Sequence, residues 1–296
     1  MVGTLCGMEF LQPATWAEAV AAKAAYPQAM PIMGGTDVMV ELNFDRHRPE
    51  YLLDLTRVTD LAQWAPENGH IRLGAGVSYS RIITELGGQL PGLAMAARTV
   101  GSPQIRNRGT AGGNLGAASP AGDSHPPLLA AFAEIEAESA RGVRRIPAAE
   151  FYTGVKRHAL APDELIKAVL ITPPAGPQQF CKIGTRNAMV IAVAAFSLAL
   201  HPDRQEAGTG IGSAAPTPRR AVAAEQFLAR ALAEAGLWES RGPLPDAIGR
   251  RFADLVADAA APIDDVRGTA RYRVHALSVM ARRALVWAWN DYREAG

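Results

Sequence analysis

Residues 106–123 read RNRGTAGGNLGAASPAGD, and no other stretch of the chain limits its fold so tightly. Side chains this small bury little apolar surface, so a packed core is not expected there. Yet the run lies between two segments with helical patterning, 93–100 and 126–132. A glycine-rich run in that position suits a ligand that approaches bare backbone, because glycine has no Cβ and tolerates positive φ. A second run of this kind occurs earlier, Met33-Gly34-Gly35-Thr36-Asp37. It follows a short apolar strand pattern at 30–33 and precedes a helical pattern at 38–42. Unpaired N–H groups and partial positive charge at a helix start favour an anion such as a pyrophosphate.

Taken alone, the first turn reads better as an ordinary strand-to-helix turn with Thr36 as cap. The second, Gly109-Thr110-Ala111-Gly112-Gly113-Asn114, offers the same chemistry with a hydroxyl and an amide added. Asn114 both donates and accepts, which suits a phosphate oxygen or a hydroxyl, and ionised Asp123 only accepts, which suits a sugar-type hydroxyl. One charge-assisted hydrogen bond contributes roughly 1.5–3 kcal/mol net, so a large dinucleotide needs several such loops converging. Two in one chain point to a ligand.

Other motifs fail. Gly210-Ile211-Gly212-Ser213-Ala214-Ala215 fits GxGxxA, but Pro216 and Pro218 follow where that motif needs a helix. GxxxxGK[ST], HExxH and GxSxG are absent from the sequence. His125 precedes two prolines and has no partner at metal-ligand spacing, so it reads as a surface or hydrogen-bonded histidine. Cys6 and Cys181 form no CxxC pair and cannot supply the four thiolates of an iron–sulfur cluster. They read as reduced thiols of a cytoplasmic protein. A net charge of +1 gives no field that favours nucleic acid or an anionic membrane. The longest apolar run, 189–200, falls short of the roughly 18 residues that span a bilayer and reads as a buried strand. Residues 1–7 lack the basic start and apolar core of a secretory signal.

Along the chain, a helix is expected at 15–26, opened by Thr15 and stopped by Pro27. Further strands are expected at 51–55, 71–73, 135–139, 165–171, 180–183, 191–200 and 209–212. Further helices are expected at 79–86, 219–235, 245–260 and 269–293. In the last, Leu277, Met280, Ala284, Leu285 and Ala288 make one apolar stripe. Pro173-Pro174-Ala175-Gly176-Pro177 reads as a linker. Strands followed by helices beyond it imply an α+β domain. The expected units are 8–62, 63–176 and 178–296.

Ile32-Met33-Gly34-Gly35-Thr36-Asp37, Thr110-Ala111-Gly112-Gly113-Asn114 and Ser119-Pro120-Ala121-Gly122-Asp123 together resemble the FAD-binding medium subunit of the xanthine dehydrogenase and carbon monoxide dehydrogenase family of molybdenum hydroxylases. The likeness covers nearly the whole chain, including Asp163-Glu164-Leu165-Ile166 and Lys182 with Arg186. Residues 101–108 are most similar to bacterial xanthine dehydrogenase flavin subunits of the actinobacterial type. The resemblance implies an α+β chain with the FAD-binding fold of p-cresol methylhydroxylase (the PCMH type), two α/β lobes with non-covalent FAD between them. A C-terminal α+β domain of the CO dehydrogenase flavoprotein type should follow. By that match Met33 to Asp37 and Thr110 to Asn114 wrap the pyrophosphate, with Pro31 and Ile32 leading into the first loop. Asp123 meets a flavin hydroxyl, Ile166 lies against the isoalloxazine, and Lys182 sits at its pyrimidine edge.

The resemblance also implies that substrate oxidation occurs elsewhere, on a molybdopterin-binding large subunit. A [2Fe-2S] small subunit would deliver electrons to this flavin, which passes them to NAD or another acceptor. No catalytic acid, nucleophile or metal ligand is then expected in this chain. Family members often carry an acid shortly after the position of Arg186, whereas here the run is Asn187-Ala188-Met189-Val190-Ile191, which puts NAD in question. Three rival readings are the flavin subunit of a carbon monoxide or aldehyde dehydrogenase complex, a self-contained flavin oxidase, and a non-enzymatic subunit that has lost FAD.

Overall fold

The computed structural model describes residues 4–5 and 7–295, so Cys6 and most of the first seven residues lie outside the description. The first sheet is built from β1 (Thr4–Leu5), β2 (Met8–Leu11), β3 (Met30–Ile32) and β4 (Tyr51–Asp54), in the order β1-β2-β4-β3. β4 runs parallel to both β2 and β3, so each step needs a crossover: α1 (Trp16–Ala25) follows β2 and α2 (Val38–Asn43) follows β3. α1 starts where the sequence places it. The Thr15 side chain accepts from the Glu18 amide at 3.2 Å, and Glu18 in turn accepts from the Ala14 amide at 2.8 Å. It ends before Pro27, where the buried Lys23 donates to the carbonyls of Pro27 and Ala29. Its apolar face, Trp16, Ala19 and Val20, packs with Leu53, Leu55 and Leu61, with Leu165 from the next sheet, and with Ala75 just beyond that sheet's strand at 70–74.

That second sheet is antiparallel throughout, in the order β5-β6-β11-β7-β8. Its strands are β5 (Trp64–Glu67), β6 (His70–Gly74), β7 (Glu134–Ser139), β8 (Gly142–Pro147) and β11 (Leu165–Ile171). The short pair β9 (Tyr152–Gly154) and β10 (Arg157–His158) stands apart from it. β11 is central, and its boundaries are those expected from its apolar run. The expected strands include neither β5 nor β8. Both are sheet edges with mostly exposed side chains, and β5 carries Pro66, so neither shows an apolar run. Helices α3 (Tyr79–Glu85), α4 (Pro91–Thr99), α5 (Pro103–Arg108), α6 (Ala111–Ala117), α7 (His125–Ala130) and α8 (Ala148–Phe151) complete this part.

Here the structure corrects the reading of residues 106–123. The stretch does enter a core: Ala111, Leu115 and Ala118 are fully buried among Ile82, Leu86 and Val169. Small side chains work there by letting α6 lie directly on Ala75, where a Cβ on Gly112 would sit 2.5 Å from both the Ala75 Cβ and its carbonyl oxygen.

The third sheet, β12 (Gln178–Ile183), β13 (Ala194–His201) and β14 (Glu206–Gly212), is antiparallel. Every residue of β13 is buried. α9 (Val222–Glu234), α10 (Leu237–Ser240), α11 (Asp246–Asp258) and α12 (Ala270–Glu294) cover the sheet around Phe196, Phe252, Leu277 and Trp289. The apolar stripe of α12 is core. β13 begins three residues later than expected, and Met189 and Ile191 are exposed in the preceding loop, because Arg186 donates to the Ala188 and Met189 carbonyls and curls the chain back. The end of the 173–177 segment is held along β13, with the Gly176 amide donating to the Leu200 carbonyl and the Leu200 amide donating to the Pro177 carbonyl. No helix of the described residues is long and apolar enough to cross a membrane.

Candidate functional site

The two glycine turns meet at the seam between the first and second sheets. A Cβ on Gly34 would overlap the Arg108 carbonyl, so the first turn rests on the backbone that leads into Thr110. The turn from β6 into α3 forms the floor beneath both. Gly76 lies under the Met33 side chain, and Ala75 lies under Gly112. The Tyr79 amide donates to the Gly109 carbonyl at 3.0 Å, fixing this floor to the second turn.

Gly35 has φ +74, a conformation that favours glycine. Asp37, not Thr36, occupies the cap position of α2, and its side chain makes no capping bond. Thr110 does cap α6, accepting from the Gly113 amide at 2.9 Å. Among the described residues, the amides of Gly34, Gly35, Thr36, Asp37 and Gly112 donate to no protein acceptor. Unpaired backbone donors grouped this closely call for an acceptor from outside the chain.

Beside this cradle lies a buried ionic cluster. Lys182 Nζ is 2.5 Å from Asp123 Oδ2 and 3.3 Å from the Thr99 carbonyl, and the two charged side chains are 8% and 7% exposed. The Thr99 hydroxyl lies 3.1 Å from the same Asp123 oxygen. The other oxygen, Oδ1, is buried without a partner. Burial raises the Asp123 pKa above the ordinary carboxylate value, while the Lys182 charge and the hydrogen bonds from Lys182 and Thr99 oppose that rise. A cavity of about 240 Å³ opens here, lined by Asn114, Gly122 and Asp123 on one side and by Val100, Gly101 and residues 189–191 on the other. An adjoining space is lined by Arg98, Arg106, Lys182 and Arg186.

Thus Met33 to Asp37 and Thr110 to Asn114 stand together, with Asp123 and Lys182 joined to each other a short way off. Pro31 is exposed on β3 opposite Leu53, and Ile32 pairs with Asp54. Ile166 stands apart from the cavity, half-buried on β11 against both the first and second cores. His125 is fully buried, not at the surface, with Nδ1 2.8 Å from the Tyr152 hydroxyl. Among the described residues no cluster of His, Cys, Asp or Glu could hold a metal ion. Burial pushes the Cys181 thiol up to about 11, so it is a poor nucleophile at neutral pH. Sequence reasoning missed the floor at Ala75 and Gly76, and Thr99 in the ionic cluster. The small-residue run Gly74-Ala75-Gly76 before the Ser78-capped α3 carried a signal for the first. A lone threonine at the end of a helix carried none.

Free amides at a seam between two sheets, with a buried acceptor beside them, define a binder of a long anionic cofactor. The chain belongs to the family of FAD-binding domains in molybdopterin dehydrogenases, whose model matches residues 6–174. It is 30% identical over 282 residues to the xanthine dehydrogenase FAD-binding subunit of Escherichia coli O157:H7, covering 92% of each chain. It is 28% identical to the carbon monoxide dehydrogenase medium chain of Afipia carboxidovorans, covering 94% of this chain and 95% of that one. Among solved structures, a chain of reconstituted CO dehydrogenase from Oligotropha carboxidovorans superposes with a TM-score of 0.86 at 27% identity, covering 98% of this chain and 99% of that one. The α+β, PCMH-type fold with its C-terminal domain is therefore the fold of this chain. It is an FAD-binding oxidoreductase subunit of the molybdenum hydroxylase family.

Proposed function

We propose that the chain is the electron-relay subunit of a xanthine dehydrogenase-like complex, with FAD seated at the seam between the first two sheets. The observation that supports this seat is the convergence of unpaired amides of residues 34–37 and of Gly112 beside the orphaned Asp123 Oδ1. A diphosphate would take the amides, and a flavin-side hydroxyl would donate to Asp123. Lys182 is held by Asp123, and at the ring's pyrimidine edge its charge would favour the reduced, anionic form. Pro31 and Ile32 would set the approach of the first turn, and Ile166 would support the isoalloxazine from β11 through the packing between the two cores. Bound FAD supplies the ability to take electrons singly and release them in pairs.

The protein's part is to bind, orient and shield. Partners follow from that division of labour: a molybdopterin large subunit that hydroxylates substrate and a [2Fe-2S] small subunit that feeds electrons to this chain. We propose a cytoplasmic complex, units at 8–62, 63–176 and 178–296, and a final acceptor that is NAD or another oxidant. The run after Arg186 has no acid to meet a nicotinamide, which favours another oxidant.

Co-purification of the chain with its genomic neighbours tests the reading. The expected result is stoichiometric releasable FAD here, with molybdenum and iron on the other chains and purine oxidation only by the assembly. A colourless chain would favour a subunit that has lost FAD, and turnover by the lone chain would favour a self-contained oxidase. An assembly that oxidised carbon monoxide or an aldehyde, and not purines, would place it with those complexes.

A further inference from the structure

We propose that Ser124, which does not line the cofactor cavity, is a positioning residue that fixes the Asn114 amide with its NH2 group toward FAD. The inference rests on the FAD seat proposed above. Ser124 is fully buried, and its Oγ lies 2.6 Å from Asn114 Oδ1. On its other side the Tyr79 hydroxyl is 3.3 Å away. A serine hydroxyl has one proton and two lone pairs, so donation to Asn114 leaves it free to accept from Tyr79. Tyr79 is buried and its phenol stays protonated, because burial raises its pKa well above the ordinary value. The three groups therefore form a directed series: Tyr79 donates to Ser124, and Ser124 donates to Asn114 Oδ1.

Direction is what makes this functional. If the Asn114 amide turned over, its NH2 would donate to Ser124. Ser124 would then donate to Tyr79, and the Tyr79 proton would be buried with no acceptor among its described contacts. An unmet buried donor is costly, so the series holds a single orientation. Gly122 stiffens it from behind: a Cβ there would lie 2.7 Å from Asn114 Oδ1 and overlap the His125 ring, so the backbone backs the amide directly. Asn114 lines the cavity, and with its oxygen engaged inward it presents only donors outward. Asp123, whose Oδ1 has no hydrogen-bond partner, lines the same cavity. One donor and one acceptor, each fixed, match a ligand that offers a phosphate or carbonyl oxygen and a hydroxyl. Without Ser124 the amide is free to turn its oxygen toward the anion and repel it.

A double-mutant cycle tests this on the full chain, with FAD dissociation constants read from flavin fluorescence after removal of endogenous flavin. Ser124→Ala should weaken FAD about tenfold, the scale of one net hydrogen bond to a charged group. In the Asn114→Ala background the same change should cost nothing further. Tyr79→Phe should give a smaller loss with the same dependence on Asn114, which provides a second route if Ser124→Ala does not fold. An equal loss with and without Asn114, or no loss in the wild-type background, overturns the proposal. A wild-type chain that fails to bind FAD overturns instead the seat on which it rests.

Discussion

Alanine at position 34 should abolish tight FAD binding without unfolding the chain. The added Cβ would overlap the Arg108 carbonyl oxygen, and would sit 2.6 Å from its carbon and 3.2 Å from the Gly109 amide nitrogen. Comfortable carbon contacts begin at about 3.5 Å, and the obstacle is backbone, so no rotamer change relieves it. The first turn must withdraw by roughly 1.5 Å, at an overpacking cost of roughly 1–3 kcal/mol. Amide-to-phosphate bonds of about 2.9 Å would stretch past the useful range. Losing two of them at about 1.5 kcal/mol each gives ~3 kcal/mol, or about a hundredfold in Kd. The assay is a fluorescence titration of the apo chain, with thermal unfolding run alongside. Gly116→Ala is the matched control. It is exposed on α6 with nothing within 4 Å of the new Cβ, so affinity should hold. Helix propensity should then add up to ~1 kcal/mol of stability. If Gly34→Ala bound FAD with wild-type affinity, the two turns would not be acting as one cradle.

Two further outcomes are expected. Lys182→Ala removes the partner that opposes burial at Asp123, so the carboxyl pKa rises further and the folded form binds a proton more readily than the unfolded chain. The stability deficit, about 3–5 kcal/mol for a broken buried pair, should therefore shrink as pH is lowered, with less FAD retained and a lower flavin potential at neutral pH. Unchanged FAD content and potential would remove Lys182 from the site. His125→Phe should flatten an acid-side slope: burial takes His125 from the ordinary 6.5 down to about 3, so the unfolded chain gains its proton first. Stability is then full above pH 6.5 and falls as pH drops toward 3, by up to about 1.4 kcal/mol per pH unit, measured by urea unfolding. An identical slope in the variant would assign the acid sensitivity to other groups.

What could be read from the sequence follows from what each residue must satisfy. α1 was legible because Thr15 and Pro27 mark its ends locally. β11 was legible because a central strand must be apolar on both faces. The edge strands β5 and β8 answer to solvent and leave no such trace. At the site, the glycines showed themselves because the absence of a side chain is visible in a sequence. The pairing of Asp123 with Lys182 and Thr99 was not visible, since it joins α4, the loop before α7 and β12 across many intervening residues. Small residues in 106–123 were read as too poor in apolar area for a core, when closeness of approach rather than area was their contribution.

Ala75 serves two structures at once. It belongs to the core under the first sheet, and it is the surface on which Gly112 rests. With FAD seated at this seam as proposed, flavin supply and the integrity of the N-terminal sheet would be tied together. A ligand that grips the seam adds to the free energy of opening it in proportion to the logarithm of its concentration. When flavin is scarce that added free energy is lost, and the first sheet should be cut more readily by proteases. Subunits that never acquire their cofactor would thus carry their own mark for disposal.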